Sequence, residues 1–267
     1  MDFSSYFLQL SAGCVGLAPV VPWRSVGKGY YVMMLSVGSG LLAIACFFRF
    51  GSLHATTGPI PGEALAGLVL FGLYGTIALA ALGAFFGGRG AAGSALTLLA
   101  AVLGSLAICW DARCSAGTYM PRLIGATPSY TLFTVNFLSS SLLLGSALSA
   151  MLLGHWYLVV KDLPVRPLKT LTVLFFVALG ARLLATVAAF LLDPEGGRAV
   201  ADRSFLFVMV YGLFSLGTPM AMSWMVWGTV RIRSTQAATG ILYGVVVFVL
   251  MGEAAGRFVL MKTGFPL

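Results

Sequence analysis

Residues 168–192 read LKTLTVLFFVALGARLLATVAAFLL, a run in which Arg182 is the only charged residue after Lys169. About 20 consecutive apolar residues are enough for an α-helix to cross the hydrocarbon core of a bilayer. A charge near the middle of such a helix is costly and usually faces a partner, a cavity or a pathway. This segment therefore predicts a transmembrane helix that holds a functional or paired arginine inside the membrane.

The composition of the whole chain supports the same conclusion. Of its 267 residues, 59% are hydrophobic and only 9% are charged, and the mean hydropathy is +0.97. Soluble domains carry about 25% charged residues, so this chain could not cover a water-exposed surface. We predict an all-α polytopic membrane protein, in which residues 1–267 form a single bundle of about eight transmembrane helices with short loops.

Eight apolar segments are separated by stretches rich in glycine, proline and charged residues, which are typical of loops. The predicted spans are approximately 3–22, 30–50, 63–87, 91–110, 131–158, 168–192, 204–230 and 237–262. The first span has the weakest apolar pattern because glycines and prolines interrupt it. We find no soluble domain in this pattern, so a catalytic domain outside the membrane would have to belong to another chain.

Loop cations predict the orientation, because Lys and Arg collect on the cytoplasmic side of membrane proteins. If the N-terminus is outside, the inner loops contain Arg24, Lys28, Arg89, Lys161, Arg166, Lys169, Arg231 and Arg233. Most acidic residues then lie in outer segments, namely Asp2, Glu63, Asp111, Asp193, Glu195 and Asp202. We therefore expect a multi-pass protein of the cell inner (cytoplasmic) membrane with both termini on the outer side.

The formal net charge of +8 comes from the Lys and Arg residues at these helix ends. It does not form a basic stripe interleaved with aromatic residues, which is the pattern typical of nucleic-acid binding. We expect membrane lipids and other subunits of a membrane complex as partners, and no nucleic acid.

Two spans are predicted to bring opposite charges together. Arg182 lies near the middle of span six, and Glu253 lies at a similar depth in span eight, with Arg257 one helical turn further out. We expect a buried Arg182–Glu253 ion pair with Arg257 nearby. The functional interpretation makes Glu253 a proton carrier or quinol-site base whose pKa Arg182 tunes. The alternative is a salt bridge that only orders the bundle.

Other polar residues inside spans predict contacts between helices. Asn136 and the serines that follow it in span five predict interhelical hydrogen bonds. Pro219 predicts a kink in span seven that frees a backbone carbonyl. The pattern GEAAG at 252–256 predicts close helix packing, either within one subunit or between two.

The two histidines do not form a haem site by themselves. His54 and His155 are expected on opposite faces of the membrane, separated by much of its roughly 30 Å hydrocarbon thickness. His155 in GHWY, 154–157, is a candidate cofactor ligand only together with another axial ligand. The alternative is an interfacial anchor with a local hydrogen bond, and on this interpretation we expect no haem.

The cysteines and the remaining motifs indicate no self-contained chemistry. Cys14, Cys46, Cys109 and Cys114 form no CxxC or CxxCH motif and no Cys/His set at metal spacing, so we expect no metal and no covalently bound cofactor. Cys109 and Cys114 are one candidate disulfide in an oxidising compartment. The sequence has no HExxH motif, no GxSxG motif and no phosphate-binding loop in a suitable setting. We therefore do not expect catalysis by this chain alone.

These features favour an integral-membrane subunit of a multi-subunit electron-transfer complex, respiratory or photosynthetic. Such a subunit anchors redox partners and contributes to a quinone or quinol pocket. In span number and scarcity of charges the chain resembles the haem-free membrane subunits of the polysulfide-reductase (NrfD) type, which handle quinols for iron–sulfur partners. That resemblance assigns no site residue. The alternatives are a small proton-coupled secondary transporter and a purely structural or assembly subunit.

Overall fold

The computed structural model describes residues 3–54, 62–119, 130–160 and 163–267. Helices contain 92% of these residues, and the described ranges contain no strand. The elements are α1 (Ser4–Leu17), a 3-10 turn (Ala18–Val20), α2 (Trp23–Val26), α3 (Lys28–His54), α4 (Gly62–Phe86), α5 (Gly90–Tyr119), α6 (Tyr130–Val159), α7 (Arg166–Leu192), α8 (Pro194–Tyr211), a π-helical segment (Gly212–Gly217), α9 (Thr218–Arg231) and α10 (Thr235–Thr263).

The protein is an all-α, multi-pass membrane protein, as predicted. Within the described ranges, seven helical segments are long and apolar enough to cross a membrane, and α8, the π-helical segment and α9 count together as one of them. The predicted first span is the exception, because α1 has only 14 residues and a short 3-10 turn follows it. A helix of that length rises only about 21 Å, less than the bilayer core.

The short helix α1 lies inside the bundle rather than at its lipid-facing edge. Twelve of its 14 residues are buried. It packs against α3, α5 and α6. Gly13 and Gly145 allow the closest approach, since a Cβ added to Gly145 would lie 2.4 Å from the carbonyl oxygen of Gly13. Small residues that let two backbones touch are the usual device for packing helices in lipid.

The predicted loop at 193–203 is helical, which corrects the sequence analysis. Asp193 caps α8 by accepting a hydrogen bond from the backbone N–H of Gly196 at 3.0 Å, and Pro194 occupies the first helical turn. Both are standard helix-start signals. The helix is interrupted at Ser204 (φ −135°, ψ 28°), where the apolar span was predicted to begin.

The fourth span also extends further than predicted, because α5 continues past residue 110 to Tyr119. Cys109 and Cys114 therefore lie on the same helix, and both are free thiols. Residues five positions apart in an α-helix have Cα atoms about 8–9 Å from each other, beyond the reach of a disulfide. The candidate Cys109–Cys114 disulfide is wrong for this reason.

The bundle has two chemically different ends. At one, which we call the terminal end, Ser5 and Arg257 line the same cavity. At the other, Trp156 on α6 donates a hydrogen bond to the carbonyl oxygen of Val26 at 2.9 Å. We call this second end the basic end, because its charged residues within the described ranges are all cations, whereas the terminal end also holds most of the acids. These cations are Arg24, Lys28, Arg89, Arg166, Lys169, Arg231 and Arg233.

Candidate functional site

The centre of the bundle contains a buried ion pair between α7 and α10. Arg182 Nε donates to Glu253 Oε1 at 2.9 Å, and Arg182 Nη2 donates to Oε2 at 2.8 Å. Arg182 is 1% exposed and Glu253 is 2% exposed. A bidentate guanidinium–carboxylate contact is among the strongest geometries available to such groups. The predicted pairing is confirmed, whereas the role of Glu253 as a proton carrier stays a prediction.

Two serine hydroxyls complete the surroundings of the Glu253 carboxylate. Ser140 on α6 donates to Oε2 at 2.6 Å, and Ser215 in the π-helical segment donates to Oε1. Each carboxylate oxygen therefore accepts one hydrogen bond from the guanidinium and one from a hydroxyl. A buried ion pair repays the cost of its desolvation only when such additional hydrogen bonds satisfy its remaining lone pairs.

The rest of the Arg182 side chain is held by polar groups and by an aromatic ring. Its Nη1 donates to the carbonyl oxygen of Asn136 at 3.1 Å and to Ser139 Oγ at 3.4 Å. Its Cζ lies 5.4 Å from the centre of the Tyr211 ring, and the hydroxyls of Tyr211 and Thr186 share a hydrogen bond at 2.6 Å. The predicted interhelical bonds of span five are present at Asn136, Ser139 and Ser140, whereas Ser146 donates within α6 and Ser149 Oγ has no partner among the described residues.

A departure from α-helical geometry places Ser215 beside Glu253. Pro219 lies in the first turn of α9, and because proline has no N–H it cannot bond to the carbonyl of Ser215 four residues earlier. The segment Gly212–Gly217 is π-helical instead. Gly252 lets α10 approach this segment, since a Cβ there would lie 2.2 Å from the backbone nitrogen of Ser215. The disturbance predicted at Pro219 and the close packing of GEAAG within one chain are both present.

Helix α1 contributes a polar side chain that the sequence analysis missed. Gln9 is 0% exposed, and its Oε1 lies 3.1 Å from Ser140 Oγ, whose single proton is donated to the closer Glu253 Oε2. Its Nε2 has no hydrogen-bond partner among the described residues. Ser5 and Gln9, four residues apart on one face of α1, were the signal in the sequence. A buried amide donor of this kind is a place where a water molecule or a ligand completes a polar network.

A polar cavity of about 320 Å³ lies at the terminal end, one helical turn from the ion pair. Arg257 and Ser5 line it, together with Arg49, Glu63 and Tyr119. Arg257 lies four residues beyond Glu253 on α10, as predicted. Gln9 likewise lies four residues beyond Ser5 on α1, one helical turn deeper in the bundle. Helices α1 and α10 therefore each place one polar side chain at the level of the cavity and another at the level of the Glu253 carboxylate.

The cations beside this cavity are not simply solvated. Arg257 is 7% exposed, and its Cζ lies 4.2 Å from the centre of the Phe137 ring. Arg49 Nη1 lies 3.4 Å from Asp111 Oδ1, and Asp111 is 1% exposed. The sequence predicts Asp111 in an outer segment between helices. It instead lies inside α5, because that helix extends beyond the apolar part of its sequence.

His155 lies far from this site. It is exposed near the basic end of α6, and its Nδ1 shares a hydrogen bond with the hydroxyl of Tyr243 at 2.8 Å. The predicted local hydrogen bond is confirmed. Helix α3 begins at Lys28 beside Trp156 and ends at His54, about 39 Å further along its axis. The backbones of the two histidines therefore lie at opposite ends of the bundle.

Metal ligation has no candidate within the part of the chain that the structure describes, because no three His, Cys, Asp or Glu side chains converge there. Comparison of the chain with family models, with curated proteins and with solved structures finds no match. The chemistry that the geometry offers is proton exchange and ligand hydrogen bonding at a buried carboxylate next to a polar cavity.

Proposed function

We propose that the protein is an integral-membrane subunit of a multi-subunit electron-transfer complex, in which the terminal-end cavity contributes to a quinone or quinol pocket. The observation that supports this function is the fully hydrogen-bonded Glu253 carboxylate one helical turn below a polar cavity. We place the protein in the cell inner membrane with both termini on the outer side. Redox centres that exchange electrons with the quinol belong to other subunits.

The cavity fits the head group of such a substrate. Its volume of about 320 Å³ lies at the lower end of the range of about 300–1,000 Å³ that is usual for small-molecule pockets. Arg257 offers donors to a quinone carbonyl oxygen, and Ala64 contributes an apolar side chain to the lining. Binding at this depth leaves the isoprenoid tail of a quinol in the membrane.

In this proposal Glu253 moves protons and Arg182 acts as a positioning residue. Oxidation of a quinol releases two electrons and two protons, and the electrons leave to a redox centre of a neighbouring subunit. A water molecule held by Gln9 Nε2 passes the first proton to Glu253, which releases it through the same water to solvent in the terminal-end cavity before it accepts the second. The Ser140 and Ser215 hydroxyls rotate as the carboxylate changes charge, so they can stabilise both states.

The first experiment is purification of the native protein in a mild detergent, followed by mass-spectrometric identification of every retained protein. The proposal predicts stoichiometric iron–sulfur, haem or pigment proteins together with bound quinone. A solitary monomer or homodimer without redox proteins would contradict it. To retain weakly held subunits, the same membranes are treated with a cross-linker before detergent is added. The protein is then immunoprecipitated together with its cross-linked partners.

The second experiment tests the site within the assembled complex. Glu253→Gln keeps the shape of the side chain and one acceptor for Arg182, but cannot carry a proton. We expect quinol turnover per assembled complex to fall by about 10²–10⁴-fold, which is the usual contribution of a positioned acid or base. Glu195→Gln is the control, because Glu195 is exposed in the first turn of α8. Unchanged turnover in Glu253→Gln would remove Glu253 from the mechanism.

A proton-coupled secondary transporter is the second candidate, and one observation favours it. The π-helical segment Gly212–Gly217 interrupts a spanning helix beside Glu253, and interrupted helices commonly form midplane binding sites in transporters. Purified protein in liposomes with an imposed pH gradient separates the two functions. Solute or proton movement by the protein alone would support transport, whereas activity only in the presence of redox subunits supports electron transfer.

A further inference from the structure

The basic end contains a cavity of about 450 Å³ that the proposed function does not use. Arg166, Lys169 and Arg233 line it, together with Leu163, Pro164 and Val165. Arg166 begins α7, Lys169 lies in the same first turn, and Arg233 lies in the turn that joins α9 to α10. Three cations from two separate elements thus surround one cavity.

A neighbouring cavity of about 400 Å³ shares Arg166 and Pro164 with the first. Ser25 and Thr170 add hydroxyl donors on its wall. No acidic residue lines either cavity among the described residues. Asp162, the one acid of the sequence close to this region, lies outside the described residues. Five cations and one acid occur in residues 161–169 together with Arg231 and Arg233. The net charge of this set of residues is therefore +4.

Apolar side chains continue from this cavity towards the middle of the membrane. Val173 and Val177 are exposed on α7, one and two turns below Lys169. Trp224 on α9 is 73% exposed, and its ring packs edge-on against Phe176 with 6.4 Å between the ring centres. The cations therefore stand above a continuous apolar surface formed by two neighbouring helices.

We propose that this cavity binds the phosphate head group of an anionic phospholipid. Arg166, Lys169 and Arg233 donate to the phosphate oxygens, and the acyl chains lie along α7 and α9 between Val173 and Trp224. Basic pockets between membrane-spanning helices are known to favour phosphorylated head groups. Guanidinium groups suit this role because they bind phosphate oxygens through two parallel hydrogen bonds.

The arrangement favours a lipid over a soluble phosphate compound. A soluble anion would use only the three cations, whereas a phospholipid also covers Val173, Val177 and Trp224. The position fits as well, because exposed tryptophan rings lie at the level where hydrocarbon meets head groups. Arg231 and Arg233 lie two to three turns beyond Trp224 towards the end of the bundle, at the level of the phosphates.

The test compares two triple variants of the full chain with equal net charge. Arg166→Gln/Lys169→Gln/Arg233→Gln removes the cavity cations, and Arg24→Gln/Lys28→Gln/Arg89→Gln removes three cations of the same end that line neither cavity. Each protein is placed in nanodiscs that contain equal amounts of phosphatidylglycerol and phosphatidylcholine, then extracted and weighed by native mass spectrometry. Glycerol 3-phosphate is added in excess to a parallel set of samples.

We expect the wild type and the control variant to retain one phosphatidylglycerol per chain, and the cavity variant to bind it at least tenfold more weakly. Glycerol 3-phosphate should not displace the lipid, since it lacks acyl chains. Equal retention by the two variants would overturn the proposal, as would retention of phosphatidylcholine at the same level. Displacement by glycerol 3-phosphate would show instead a site for soluble phosphate compounds.

Discussion

Arg182 and Glu253 lie 71 residues apart in the chain and meet through two parallel hydrogen bonds of 2.9 and 2.8 Å in the middle of the bundle. The pair joins α7 to α10, and the hydroxyls of Ser140 and Ser215 extend it to α6 and to the π-helical segment. Four separate elements therefore depend on one carboxylate. Removal of the carboxylate therefore disturbs contacts to all four elements, whereas Glu253→Gln keeps the shape of the side chain and removes only its ability to carry a proton.

The first prediction concerns the energy of the ion pair. Arg182→Met leaves the Glu253 carboxylate buried without its cation, so the free energy of unfolding should fall by about 3–5 kcal/mol. The double variant Arg182→Met/Glu253→Met should recover most of this loss, because no unpaired charge then remains buried. Thermal unfolding in detergent micelles measures both changes.

Each outcome for the double variant has a clear meaning. Recovery shows that the two side chains act mainly on each other. If Arg182→Met/Glu253→Met is less stable than Arg182→Met, Glu253 has stabilising contacts that do not depend on the arginine, and the pairing argument fails. The exchanged pair Arg182→Glu/Glu253→Arg should recover little, because the carbonyl oxygen of Asn136 that accepts from Arg182 would then face a carboxylate.

The second prediction concerns the hydroxyl donors to Glu253. Ser140→Ala and Ser215→Ala each remove a hydrogen bond to a buried charge, which should lower the free energy of unfolding by about 1–2 kcal/mol. Ser146→Ala is the matched control on α6. Its hydroxyl is equally buried but donates to the Leu143 carbonyl in its own helix. A loss in Ser146→Ala as large as that in Ser140→Ala would show that general packing, not the carboxylate, is responsible.

The sequence was sufficient to predict the ion pair because depth in a membrane is a one-dimensional coordinate. Once two helices are assigned as spans, counting residues from their ends places Arg182 and Glu253 at the same level. Charges at that level must find each other or a cavity. The same reasoning could not identify Gln9 or the face of α1 that meets the site, because counting residues along a span gives the depth of a side chain but not the neighbouring helix that it faces.

Helix ends were predicted poorly for a related reason. Hydropathy marks where a helix enters the hydrocarbon, not where its hydrogen bonding ends. Helix α5 therefore continues through Asp111 to Tyr119, and α8 begins at Pro194, ten residues before the apolar pattern begins. The cap at Asp193 was visible in the sequence, but a cluster of glycine and charged residues around it is more often a loop.

The third prediction concerns the contact between α10 and the π-helical segment. A methyl group at residue 252 would lie 2.2 Å from the backbone nitrogen of Ser215, so Gly252→Ala has to push two backbones apart. We expect the free energy of unfolding to fall by about 1–3 kcal/mol, as is usual for overpacking. Thermal unfolding in detergent micelles is again the measurement.

Gly240→Ala is the control for that variant, because a Cβ at residue 240 on the same helix would contact no neighbouring helix among the described residues. Alanine is a better helix former than glycine by roughly 0.5–1 kcal/mol, so Gly240→Ala should be neutral or slightly stabilising. A tolerated Gly252→Ala would mean that α10 and the π-helical segment can separate at little cost, contrary to the close packing described above.

The fourth prediction concerns topology, and it uses two positions separated by a single spanning segment. Residues 195 and 236 lie on either side of Pro194–Arg231, at the terminal end and at the basic end, and both side chains are exposed. In a variant whose four native cysteines are replaced, Glu195→Cys should react with a membrane-impermeant thiol reagent in intact cells. Gln236→Cys should react only after the membrane is permeabilised, since we expect the basic end on the cytoplasmic side from the positive-inside rule. The reverse labelling pattern would show that the bundle has the opposite orientation in the membrane. Labelling of both positions from one side would contradict a membrane crossing by Pro194–Arg231.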